Sequence, residues 1–154
     1  MHAVSNASPL IALGAIQRLD LLPALFETVL IPAAVSREIR RSVTASPAWL
    51  HVEPLRAVLP GMVMRRALGD GEREAIALAL EIHAGIVILD DLPARRIAQS
   101  AGLNVVGTVG VLLAAKRAGL IERIRPELDS LLATSFFLSP DLYDQLLVAA
   151  GETP

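Results

Sequence analysis

Ile86-Val87-Ile88-Leu89-Asp90-Asp91 is the stretch on which the reading of this chain turns. The apolar run is rich in β-branched residues, lacks polar alternation and stops on two acids, the pattern of a central parallel strand covered on both faces. Just upstream, Gly69-Asp70-Gly71 is turn punctuation, and Ile76, Ala79, Leu80 and His83 recur at helical spacing, which predicts a helix over 72–83. Downstream the pattern predicts a helix over 93–100 stopped by Gly102, a strand over 104–106, and a helix over 109–117 closed by Gly119. Toward the amino terminus, a strand over 3–6 precedes Ser8-Pro9, read as a helix N-cap with proline at the first helical position, so a helix is expected over 9–17. A further helical piece over 19–26 is interrupted by Pro23; then come a strand over 28–31 and a helix that Pro32 opens and that ends near Arg41. The region 42–60, with Pro47, Pro54 and Pro60, is the least regular, with one extended piece over 49–52. Helices over 126–133 and 140–150 flank Phe136-Phe137. Strands that alternate with helices argue for an α/β protein, three-layer α/β/α around a central, mainly parallel sheet. No internal repeat or linker divides residues 1–154, so a single domain is expected.

Composition narrows the chemistry. The chain has 154 residues, 53% of them hydrophobic and 19% charged, which excludes disorder and collagen-like repeats. It has no cysteine, which removes disulfide scaffolds, thiolate-bound zinc, iron–sulfur clusters and thiol nucleophiles together and fits a reducing, cytoplasmic setting. No basic segment precedes an apolar one at the start, so no secretory signal is expected. The most apolar stretches are either interrupted by Glu81 and His83 or well short of the roughly 20 residues a membrane span needs. A net charge of −2 leaves little whole-molecule attraction to a polyanion, so any nucleic-acid binding must be local. Of the 14 basic residues 13 are arginine, a skew that suits bidentate phosphate contacts and that a GC-rich genome produces equally.

Ligands of open α/β sheets bind beyond the carboxyl ends of the strands, and two predicted strands end on metal-capable side chains, Asn6 and the Asp90-Asp91 pair. Two carboxylates 4 Å apart repel by about 4 kcal/mol at an effective dielectric of 20, a large part of a domain's roughly 5–15 kcal/mol of stability. Either one side chain turns away to cap a helix or meet solvent, or a cation or shared proton relieves the repulsion. Glu38 flanks an apolar stripe formed by Val35 and Ile39; it is either a solvated partner of Arg37 or Arg41 or a functional acid. Glu72 falls in the first turn of its helix, where a carboxylate serves as a cap or as a ligand; Glu74 is suited to capping, and Glu81 lies far along the helix. Other catalytic sets are missing. His2, His51 and His83 lack paired zinc spacing, and His83 reads as a core histidine on an apolar helix face. There is no G-x-S-x-G elbow, and Gly107-Thr108-Val109-Gly110 lacks the phosphate-loop lysine, with Thr108 explained as a helix cap. An oxygen-ligand site remains, which suits Mg²⁺ or Mn²⁺ and points to phosphoryl chemistry.

The order of these pieces is recognisable: Val4-Ser5-Asn6-Ala7-Ser8-Pro9-Leu10-Ile11; Ile31-Pro32 with Val35 and Glu38; the run from Gly71 and Glu72 to Ala79; Leu89-Asp90-Asp91 with Ala94-Arg95; and Val106-Gly107-Thr108-Val109-Gly110-Val111-Leu112. Over residues 3 to about 145 the chain resembles PIN-like proteins of the DUF3368 type, related to VapC toxins. The resemblance implies a metal-dependent ribonuclease, a hydrolase that cuts RNA phosphodiester bonds as the toxin of a toxin–antitoxin pair, working as a homodimer with a cognate antitoxin. It implies Asn6, Glu38, Glu72 and Asp90 as ligands of Mg²⁺ or Mn²⁺. Glu38, Glu72, Asp90 and Asp91 would be the catalytic acids, and Ser8 and Thr108 supporting hydrogen bonders.

This chain departs from the family pattern at its first acid, usually aspartate and here Asn6, whose carbonyl can still ligate a cation with one charge fewer. Metal affinity should fall, and the alternative is a catalytically weak or inactive module that binds RNA or a protein partner. Arg95 and Arg96, just after the aspartates, suit RNA phosphates or an antitoxin carboxylate, and equally suit neutralising Asp90 and Asp91; Arg65-Arg66 reads as a solvated face. A phosphoacceptor receiver domain fits poorly, because it needs its acidic pair after the first strand. Leu10, Ile11 and Leu13, with Leu142, Leu146 and Leu147 in the last helix, can serve either a dimer contact or a monomer core.

Overall fold

A computed structural model describes residues 1–43, 47–57, 59, 61 and 68–154. The Arg65-Arg66 pair, Pro60 and parts of the irregular 42–60 region lie outside the described residues. In chain order the elements are β1 (His2–Ser5), α1 (Ala7–Ala15), α2 (Leu21–Leu25), β2 (Thr28–Ile31), α3 (Ala33–Ile39), β3 (Leu50–Val52), α4 (Asp70–Glu81), β4 (Ile86–Ile88), α5 (Leu92–Ser100), β5 (Val105–Val106), α6 (Thr108–Arg117), α7 (Arg125–Leu132) and α8 (Pro140–Ala149). The five strands form one sheet in the order β3-β2-β1-β4-β5, every pairing parallel. The expected three-layer architecture is therefore present.

Alternation along the strands explains the layers. On one face Ala3, Val29, Ile31 and Ile88 join a core with Leu10, Leu13, Leu22, Val35, Leu112, Leu128 and Leu147 from the helices. On the other, Val4, Val87 and Leu89 pack with Ala75, Ile76, Leu78 and Ala79 of α4 and Ala94 and Ala98 of α5. With both faces of β4 covered, an unbroken apolar run is what burial demands there. Gly102 and Gly119 follow α5 and α6 at φ +86° and +76°, the left-handed turn that ends a helix most cheaply with glycine.

Winding reverses at the centre of the sheet. From β1 the chain steps outward through β2 to β3, then returns by α4 to the other side of β1, where β4 and β5 follow. The carboxyl ends of β1 and β4, paired Ser5 to Ile88, flank that switch point, the usual ligand crevice of such sheets.

Several boundaries move for local reasons. The first helix begins at Ala7, with Asn6 rather than Ser8 in the extended N-cap position, and Ser8 makes no capping bond. The fourth begins at Asp70, so Gly71 lies inside its first turn instead of in a loop. It ends at Glu81, and His83 stands beyond it, exposed and at φ +52°, not in the core. Thr108 opens α6 at its first helical position without capping it, the N-cap being Gly107. Among the described residues no helix is long and apolar enough to cross a membrane.

Candidate functional site

Three elements converge on the end of β1. Asn6 hydrogen-bonds through its backbone N–H to Ile88 O at 3.0 Å, which fixes it beside the end of β4. The residue is 3% exposed, its side chain does not cap α1, and its Oδ1 has no hydrogen-bond partner. Glu38 arrives from α3, where buried Val35 and Ile39 face the core and leave the glutamate on the flank. From the start of α4 the Gly71 N–H faces the Glu38 carboxylate and favours its charged form. Gly71 itself is buried, and an ideal Cβ on it would lie 2.6 Å from Glu38 Oε1 and 2.9 Å from Asn6 Oδ1. Both oxygens thus close on the space that a side chain would fill. Glu72, half-buried in the same helical turn, folds its Oε2 back to 2.7 Å from the corresponding point on Gly69.

The electrostatics of this group are unfavourable without a cation. Glu38 is an exposed residue, but partial desolvation of its carboxyl pushes it above its usual range, the charges of Glu72 and Asp70 push the same way, and the Gly71 N–H and Arg37 oppose them only in part. A buried acceptor without a donor next to carboxylates that repel each other is an arrangement a divalent cation completes, and hard oxygen ligands suit Mg²⁺ or Mn²⁺. The donor set fits such an ion on that ground. It is not a ready-made cage, however: among the described residues no group of three or more histidine, aspartate or glutamate side chains comes together to hold a metal.

Asp90, at the end of β4, has a separate set of partners. Thr108 donates to it twice at 2.7 Å, N–H to Oδ1 and Oγ1–H to Oδ2, which clamps the carboxylate in one orientation. An ideal Cβ on Gly107 would lie 2.8 Å from Asp90 Oδ1 and 2.6 Å from an Nη of Arg95, so the glycine leaves room for a guanidinium beside the acid. Asp91 is engaged elsewhere, as the exposed N-cap of α5, and its Oδ2 accepts from Ala94 N–H at 3.1 Å. The adjacent aspartates therefore avoid mutual repulsion by taking different partners. Expected as a catalytic acid, Asp91 is placed as a helix cap.

Of the remaining expected residues, Ser8 is exposed on α1 and, with Asp90, lines a cleft; Arg96 is exposed. Glu74 reaches across to accept from Ala34 N–H at 3.2 Å, capping α3 rather than its own helix. Glu81 accepts from the N–H groups of Arg56 and Ala57. No local pattern indicated that Gly71 and Gly107 admit site atoms, because Gly-Asp-Gly and Gly-Thr-Val-Gly read equally well as turns. Asp70 beside Glu38 was hidden for the same reason.

Comparison with known proteins bears on the family and the fold. The family profile of DUF3368, described as a PIN domain, matches residues 2–152. The fold is similar to that of a PilT N-terminus domain protein from the hyperthermophilic archaeon Sulfolobus solfataricus P2, with a TM-score of 0.56 and 20% identity over 75% of this chain and 93% of that one. At that identity the likeness concerns the fold alone. No curated protein matches the chain.

Proposed function

Because this chain belongs to the DUF3368 family of PIN domains, we propose that it is a divalent-metal-dependent endoribonuclease, the toxin half of a toxin–antitoxin pair. The observation that carries the reading is the buried, unpartnered Oδ1 of Asn6, which closes with Glu38 on one point at the switch of the sheet. Asn6, Glu38 and Glu72, with Asp90 from the next strand, would hold Mg²⁺ or Mn²⁺, which when bound supplies Lewis acidity toward a scissile phosphodiester. Thr108 keeps the Asp90 carboxylate in a fixed orientation for that role. Arg95, across Gly107 from Asp90, and Arg96, exposed on the same helix, would meet an RNA phosphate or an antitoxin carboxylate, a reading supported by the guanidinium's fit to such anions. A homodimer and a cytoplasmic location belong to the same proposal.

The test is incubation of the purified chain with single-stranded and structured RNA, with Mn²⁺ or with chelator. Cleavage is expected with Mn²⁺ only, and Glu38→Gln or Asp90→Asn should abolish it. A second reading, a weak or inactive PIN module that binds RNA or a protein, is favoured by the neutral amide at the end of β1 and by the lack of three clustered acids among the described residues. RNA binding without chelator-sensitive cleavage would establish it.

A further inference from the structure

A cleft of about 350 Å³ runs between α1 and the link from α7 to α8, and Asp90 is part of its lining. Ser8, Ile11 and Ala12 form the α1 side; Ser135, Phe136 and Phe137 form the other. Phe137 is 84% exposed, in a chain with only 3% aromatic residues. Its position is not a loose one. Thr134 Oγ1 donates to Leu131 O and accepts from Phe136 N–H at 3.1 Å, Phe136 packs against the core, and Leu138 is buried. Residues on both sides are thus anchored, and an aromatic ring is held out at the edge of a cleft that reaches the candidate site.

The lining identifies the occupant. An aromatic face and an apolar α1 wall suit a flat base, while the hydroxyls of Ser8 and Ser135, which have no partner among the described residues, suit its hydrogen-bonding edge. Outside the lining, across Gly107 from Asp90, lies the Arg95 guanidinium, complementary to the anionic phosphate that a nucleotide carries next to its base. An apolar helix of a protein partner would satisfy Phe137 but would bury the Ser8 and Ser135 hydroxyls without partners. A duplex keeps its bases stacked inside and offers no free face. We propose that this cleft is a base-stacking subsite with Phe137 as its platform, which takes single-stranded RNA and holds a base next to the phosphate presented at Asp90.

The inference rests on the nuclease reading for what Asp90 does, so its test measures binding apart from cleavage. Fluorescence anisotropy in chelator would compare a labelled single-stranded oligoribonucleotide with a blunt-ended, fully paired duplex of equal length, on the wild-type chain and on Phe137→Leu and Phe137→Trp. Both substitutions fall at an exposed position and should leave folding intact. Phe137→Leu should weaken single-strand binding about 5- to 150-fold, the span of one lost base stack, Phe137→Trp should retain it, and the duplex should bind more weakly than the single strand. Wild-type binding in Phe137→Leu, equal affinity for the duplex, or failure of the wild-type chain to bind the single strand would each overturn the proposal. So would light scattering that traces the loss to a broken dimer, since the face would then be a self-association surface. Phe137-dependent binding by a chain that never cleaves RNA keeps the subsite and removes the nuclease reading; cleavage with Phe137-independent binding does the reverse.

Discussion

Leaving a buried amide oxygen without a donor costs about 1–3 kcal/mol, and Asn6 carries that cost at the end of β1. A cation would offset it, and a second negative charge there would bind the cation more strongly. Asn6→Asp is therefore expected to tighten Mn²⁺ binding in a calorimetric titration; equal affinity in the two proteins would remove Asn6 from the ligand set. Asp90 allows a complementary test, because its orientation is set by Thr108 rather than by its own backbone. Thr108→Val keeps the volume and the N–H bond but deletes the hydroxyl, and metal affinity or cleavage should fall about 10- to 100-fold, with an unchanged circular dichroism spectrum showing that the fold persists. At this scale the sequence was informative about residue type and silent about direction. Asn6, Glu38, Glu72 and Asp90 were visible as oxygen donors at element ends, yet nothing in the spacing distinguished Asp90, held by Thr108, from Asp91, spent on Ala94 N–H.

Helices place these side chains, and the helices are tied to one another by polar contacts that periodicity does not predict. Glu74 of α4 caps the start of α3, so the element that carries Glu72 is fastened to the one that carries Glu38. Glu74→Ala should cost about 0.5–2 kcal/mol, the usual value of a lost N-terminal cap, measured by urea denaturation. It should also loosen Mn²⁺ binding although Glu74 is not a ligand; a stability loss with unchanged metal affinity would show that the tether does not position the acids. Existence and type of the elements followed from hydrophobic pattern and turn residues, because burial on one face or both imposes the period. Their ends did not, since whether Asn6 or Ser8 precedes the first helical turn depends on where β4 pins the Asn6 backbone.

Across the whole molecule, the segment after α8 returns to lock two helices. Glu152 is 9% exposed, and its carboxylate accepts from Lys116 Nζ at 2.9 Å and from the N–H groups of Ile124 and Arg125 at 2.8 and 3.2 Å. Burial alone would raise its pKa, but Lys116 and the two N–H groups outweigh burial and hold the carboxyl below its usual 4.5. A carboxyl depressed in the folded state adds stability above its unfolded value, and that contribution is lost as pH falls through the folded value. Glu152→Gln should thus cost about 1–2 kcal/mol at pH 7, several degrees in Tm, and the difference from wild type should shrink in thermal melts below about pH 4. A gap in Tm that stays constant from pH 7 to pH 3 would assign the effect to packing instead of charge. The two ends of this lock are 36 residues apart in sequence, and no local pattern joins them. What the sequence determined by itself was the layered parallel architecture and the inventory of oxygen donors, because hydrophobic period and strand-end composition are local consequences of burial. Which donors meet was decided only by the tertiary structure: the reversal of winding at β1 and β4 sets strand neighbours, and two glycines far apart in the chain leave the space into which those side chains converge.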